Sequence, residues 1–226
     1  MRHSCAVDLA EKHPDKVKEM SDLFFAEAVK YNVLPLEDRG LAILNASLVK
    51  RPTLMGERKE ITLGNNMGAL NEGSFLNTKN TSFEIIAEVE VEPDKHTDGV
   101  IFAFGGRPGG YALYVKDGVP TFCYNWVAHE YYYARSAKRL TDTRNQIKLH
   151  FQYDGGGLAK GGTMALYLNG EKVGEGRCEH TMGFNYGFDA TANVGMQRGN
   201  PVTEEYTISG SKFQGAIYSV TVKRLN

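Results

Sequence analysis

Tyr124, Asn125, Trp126 and His129, followed by the run Tyr131 to Tyr133 and preceded by Arg107 and Tyr111, are the residues of this 226-residue chain best equipped to hold a ligand. Aromatic rings stack on the apolar face of a sugar, and an amide and a guanidinium add directed, charge-assisted hydrogen bonds to a hydroxyl, carboxylate or sulfate. The candidate ligand site is therefore Arg107, Tyr111, Tyr124, Asn125, Trp126 and His129. Tyr and Trp also fill the cores of β-sandwiches, so a structural or docking surface is the competing reading and both stay open.

Other chemistry-bearing groups carry less. Glu88, Glu90 and Glu92 alternate with valine and share one face of a strand. Two carboxylates about 5 Å apart are how a retaining glycosidase attacks an anomeric carbon and protonates its leaving group. A solvated outer face is the plainer reading of this acidic row. The glycine cluster from Gly155 to Gly162 holds Lys160 before Gly161 rather than in a GK[ST] order, and a strand follows it, so a long hairpin loop is expected. The histidines His3, His13, His96, His129, His150 and His180 show neither HxH nor HExxH spacing, which argues against zinc. The loop from Asp94 to Asp98 offers carboxylates for calcium in a pattern too generic to name ligands. No metal and no cofactor is assigned.

The elements that must position these groups are mostly strands. Phe83, Ile85, Ala87, Val89 and Val91 alternate with Glu84, Glu88, Glu90 and Glu92, and Ile147, Leu149, Phe151 and Tyr153 alternate with Lys148, His150, Gln152 and Asp154. Such a period of two marks strands with one face in a core. Tyr218, Val220 and Val222 read the same way. Asp117-Gly118 and Asn169-Gly170 are two-residue hairpin turns that pair YALYV with VPTFCYNW and MALYL with KVGEG. About ten to twelve such strands predict a two-sheet, concanavalin or laminin-G-like jelly roll.

One segment is different. Pro14 suits a first helical position, Asp15 the positive end of a helix dipole, and Val17, Met20, Leu23, Phe24, Ala28 and Tyr31 recur at three- and four-residue spacing, with Pro35 as the stop. The expected organisation is a helical piece over 1–39, a linker over 40–58 and a β-sandwich over 59–226.

A resemblance runs through these segments. KHPDKVKEM followed by KYNVLPLEDR is similar to the close of the catalytic domain in bacterial arylsulfatases, members of the alkaline-phosphatase-like superfamily. RPTLMGERKEITL, NEGSFLNTKNTSFEIIAEVEV, DGVIFAFGGRPGGYALYVKDG and FQYDGGGLAKGGTMALYLNGEKVGEGR resemble the concanavalin-like sandwich that follows it in the longer enzymes. The resemblance covers Asp8 to the C-terminus. It implies a parent that hydrolyses sulfate esters, with this region as a structural, docking or substrate-rim domain. The nucleophile of that family sits in C/S-x-P-x-R, and none of Cys5, Cys123 and Cys178 has Pro two residues on and Arg four residues on. No catalytic residue is carried over, and the chain alone is not expected to be an enzyme.

The alternative is a stand-alone carbohydrate-binding, lectin-like module, with a concanavalin-like glycoside hydrolase as a minor third reading. Expected partners are a sulfatase catalytic domain or a second copy through the face of Val17, Met20, Leu23 and Phe24, and a carbohydrate or sulfated ligand. A net charge of −1 gives the chain no general attraction to nucleic acid or anionic membrane. The three cysteines make no disulfide framework, and no signal peptide or membrane span is legible, so the chain as it stands reads as cytoplasmic. Asn45-Ala46-Ser47 and Asn80-Thr81-Ser82 match glycosylation sequons.

Overall fold

A computed structural model describes residues 8–36, 38–92, 95–141 and 143–225. His3 and Cys5, and Asp94 of the suggested calcium loop, lie outside the described residues. The chain divides into two compact units, Met1–Gly40 and Leu41–Asn226.

In the first unit the helix α1 spans Pro14–Lys30, with Pro14 at its start and Asp15 in its first turn. It stops short of the expected Pro35 because Asn32 adopts a left-handed φ of 55°. Lys16–Glu19 and Lys18–Asp22 pair along the helix, and Phe24 meets Phe25 edge-on at 5.4 Å. Val17, Met20, Leu23 and Phe24 are exposed.

The second unit is a sandwich of two six-stranded antiparallel sheets. One runs β1 (Glu60–Leu63), β12 (Ala216–Arg224), β3 (Phe83–Glu90), β8 (Arg144–Tyr153), β9 (Gly162–Leu168) and β10 (Glu171–Cys178) in spatial order; the other runs β2 (Leu70–Asn71), β11 (Thr191–Val194), β4 (Gly99–Gly106), β5 (Gly109–Lys116), β6 (Val119–Trp126) and β7 (Glu130–Arg135). The two-sheet jelly roll read from the strand count is present. Both dipeptide turns close their hairpins, with Asp117 and Gly118 at φ 53° and 74° and Asn169 and Gly170 at 49° and 85°. Positive φ at both central residues matches the twist of the flanking strands.

The main core lies between the sheets. Ile85, Ala87, Val89, Ile147, Leu149 and Phe151 come from the first sheet, and Phe104, Tyr111, Leu113, Phe122 and Tyr124 from the second. Phe83 stacks on Tyr111 and on Phe151, each at 5.0 Å. Each enclosed Phe contributes about 1.5–3 kcal/mol by leaving water, so this row of rings sets the spacing of the sheets.

Two features depart from simple alternation. The pairing of β12 with β3 shifts between Ile217 and Ser219, so Ile217 is buried while Tyr218, expected on the core face, is exposed and bonded to Glu90. A bulge inserts one unpaired residue and reverses the facing of what precedes it. The second sheet is buried on both faces: Val100, Ala103, Ala112, Tyr114 and Cys123 form a smaller core on its outer side, closed by Val202 with Tyr206 against it. Gln197 clasps that covering segment, donating to Gly105 O at 3.1 Å and Asn200 O at 2.6 Å and accepting from Val202 N at 3.2 Å.

Candidate functional site

The six residues of the sequence-derived site do not come together. Strand alternation sends Tyr111 and Tyr124 into the main core, where Tyr111 shares a hydrogen bond with Thr78 Oγ1 at 2.9 Å and Tyr124 accepts from Met182 N at 3.0 Å. Burial drives both phenols well above their ordinary pKa. Asn125 points the other way and is 0% exposed. Its amide donates to Gly106 O (3.1 Å), Arg107 O (3.1 Å) and Val202 O (2.9 Å), and its oxygen accepts from Ala128 N (2.8 Å). Arg107 is exposed in the turn between β4 and β5, beside Tyr131 and the 200–208 segment.

Trp126 and His129 stay together where β6 turns into β7. The indole stacks on His180 at 4.6 Å and 27°, and His129 meets its edge at 6.0 Å. His180 Nδ1 lies 3.0 Å from both Glu130 and Tyr132 Oη, and Tyr132 donates to Glu130. One indole face is therefore covered, and the polar groups around it are spent on one another.

The acidic row along β3 and just past its end has each member partnered. Gln146 donates to Glu88 at 2.7 Å, Glu90 takes Tyr218 and Arg144, and Glu92 pairs with Lys95 at 2.6 Å. The hydrogen bond from Tyr218 leads in holding the Glu90 carboxyl below its usual range. His96, Asp98 and Asp117 gather at the surface with ligand atoms within 4.8 Å of one another. His96 Nε2 sits 3.1 Å from Asp117, and an Asp98 oxygen accepts the Asp117 N–H, so the group ties the β5–β6 turn to the residues before β4. Residues 19 apart in sequence form this cluster, which no spacing motif reveals. Cys123 and Cys178 are buried thiols, the first pushed up to about 12 by burial. Both sequon amides, of Asn45 and Asn80, donate to Gly183 O at 3.1 and 2.8 Å, so each has a structural partner within the fold.

A different site is open. A cleft of about 330 Å³ lies between the 44–58 segment, the 71–79 segment, the 185–190 segment and the end of β12. On its wall the Lys79 ammonium, its side chain 3% exposed, meets the Glu72 carboxylate, which also accepts from Tyr186 N at 3.0 Å. Burial lowers the Lys79 pKa and Glu72 opposes that. Phe188 stands at the mouth, 93% exposed.

Three arginines line the same cleft, Arg51, Arg58 and Arg224, and among the described residues no carboxylate pairs with any of them. Arg224 is the unusual one. It follows Val220 and Val222 on the inward face of β12, opposite Phe83, and its Nε is enclosed with no hydrogen-bond partner. Native structures leave few such atoms. The amide of Asn185 is likewise unspent, whereas Asn77 is committed to Asn45 and Ser47 at 2.8 Å each.

Sequence reasoning missed this cleft because its residues come from four distant stretches. One signal was present: the inward alternation Val220, Val222 puts a cation at the next core-facing position.

No family model matches the chain, and no curated protein matches it. Among solved structures it is similar to the CBM40 of the Ruminococcus gnavus IT-sialidase, at 15% identity over 74% of this chain and 90% of that one, with a TM-score of 0.47. It is also similar to domains LG4-5 of the mouse laminin α1 chain, at 8% identity over 76% of this chain and 40% of that one, TM-score 0.41. Sheep galectin-11 in complex with glycerol matches at 8% identity over 71% of this chain and 98% of that one, TM-score 0.40. At these identities the likeness is one of fold.

Proposed function

We propose that the sandwich is a non-catalytic carbohydrate-binding module and that its ligand occupies the cleft between the 44–58 segment and the end of β12. The observation that carries this reading is the combination of unspent hydrogen-bond donors with an aromatic ring turned almost wholly to water. Sugar sites need both, since directed donors answer hydroxyls and a ring covers the apolar face. The Trp126 edge fits less well because its ring face and its polar groups already have partners. The acids along β3 and just past its end also support a binding role over hydrolysis, since each is tied to its own neighbour.

A glycan array probed with the full chain tests the proposal. Phe188→Ala removes one stacking contact worth about 0.5–1.5 kcal/mol, so affinity for a retained glycan falls by roughly 2- to 10-fold while the melting temperature stays put. An array with no retained glycan, or a Phe188→Ala chain that binds equally well, refutes it.

The resemblance of Asp8 to the C-terminus to the end of an arylsulfatase supports a further placement, as the appended region of a larger sulfuric ester hydrolase. That placement rests on the sequence segments alone. A C/S-x-P-x-R motif in frame upstream is its expected confirmation, and an unrelated upstream gene removes it.

A further inference from the structure

We propose that the cleft is an anion seat: Arg224, with Arg51 and Arg58, receives the sulfate ester or carboxylate of an acidic saccharide. The identity of the ligand as a sugar rests on the function proposed above, whereas the anion seat stands on the cleft itself.

Three observations point to it. The Glu72 carboxylate is the one acid on the cleft's described lining, and it is already answered by Lys79 and by Tyr186 N, which leaves the three arginines there with no carboxylate of their own. Arg224 occupies the end of a core-facing row, where an apolar residue would continue the pattern of Val220 and Val222. Its enclosed Nε has no acceptor, and a buried donor left without one is destabilising, the more so when it is charged.

A cation held in that way, with no partner among the described residues, fits a ligand-supplied oxyanion. The planar guanidinium fork matches a carboxylate or sulfate bidentately, which a lysine cannot do. Because Nε is enclosed, the seat places the oxyanion on the terminal nitrogens, and the Nε–H signal of the same guanidinium reports it. The seat involves no bond making or breaking.

The test uses the full chain, labelled with nitrogen-15, titrated at low salt with glucose 6-sulfate, methyl β-D-glucuronide, methyl β-D-glucoside and sodium sulfate. Affinity is followed by calorimetry and the Arg224 Nε–H signal by NMR. The expected result is that an acidic sugar binds at least 10-fold tighter than the neutral glucoside and moves the Arg224 signal, with the tighter of the two acidic probes identifying sulfate or carboxylate. Arg224→Lys, which keeps the charge and loses the fork, should lower that affinity 10-fold or more. Should Arg224→Lys fail to fold, the exposed pair Arg51→Gln and Arg58→Gln must by itself erase the acid preference.

Equal binding of acidic and neutral sugars with an unmoved Arg224 signal overturns the anion seat and leaves the sugar reading standing. Saturable sulfate binding that no sugar improves upholds the seat and overturns the sugar reading. No response to any of the four probes overturns the seat, and the glycan array decides the sugar reading.

Discussion

Asn125 separates a scaffold from a ligand contact, and replacing it should damage folding rather than binding. Asn125→Ala removes an amide whose two N–H groups are shared among the carbonyls of Gly106, Arg107 and Val202 at 2.9–3.1 Å and whose oxygen takes the Ala128 N–H at 2.8 Å. Each buried group this orphans costs about 1–3 kcal/mol. Relaxation and water entry at the exposed Arg107 turn reduce the total, so the expected loss is roughly 3–5 kcal/mol. For a unit of this size 1 kcal/mol corresponds to about 2–4 °C, which places the fall in melting temperature at roughly 6–20 °C. Urea unfolding of the full chain measures it.

Asn125→Asp sharpens the test by turning the donor into a carboxylate facing three carbonyl oxygens. That carboxyl titrates higher in the folded than in the unfolded chain, so the folded state holds the extra proton. Stability should then fall as pH rises through the unfolded value of about 4. A loss below about 1 kcal/mol for the alanine variant, or an aspartate variant with the pH profile of the parent, refutes the scaffold argument.

Glu205 clamps the covering segment to the second sheet, taking both arms of Arg135 at 3.0 and 2.6 Å and the hydroxyl of Tyr114. Burial pushes its carboxyl up, but hydrogen bonds from Arg135 and Tyr114 and the charge of Arg135 outweigh that, and the pKa is lowered. A depressed folded pKa adds stability above the unfolded value that is lost as pH falls through the folded one, so Glu205→Gln should flatten the acid limb of a melting-temperature profile. An unchanged acid limb removes the clamp from the account. On α1, Leu23→Ser with Phe24→Ser should lower any self-association seen by light scattering, and dimerisation that persists unchanged excludes that face as the contact.

The strands that were legible in the sequence have one face in water. In β3 and β8 a charged or polar residue occurs at every second position, or nearly so, because the outward row must be solvated while Ile85, Ala87, Leu149 and Phe151 are not. Asp117-Gly118 and Asn169-Gly170 were legible for a local reason, since few other pairs tolerate two positive φ angles. In β4, β5 and β6 this signal fades: Val100, Ala103, Ala112, Tyr114 and Cys123 are covered on the outer side, so both rows are apolar and neither facing is marked. That is why a ring platform stayed open beside the structural reading for Tyr111 and Tyr124, and why Asn125, an amide among apolar neighbours, was among the candidate ligand contacts. Tyr218 was misplaced because a bulge changes register without leaving a pattern of its own.

What the sequence determined by itself was therefore short-range: alternation along a strand, a helix with proline at its start, and turns that need left-handed residues, each decided by neighbours a few positions away. The cleft was decided by tertiary structure, because Arg51, Lys79, Asn185, Phe188 and Arg224 meet only after loops from both sheets close over one end of the sandwich. Whether a polar group is spent or free depends on which distant atom lies within about 3 Å of it, and no local pattern encodes that distance.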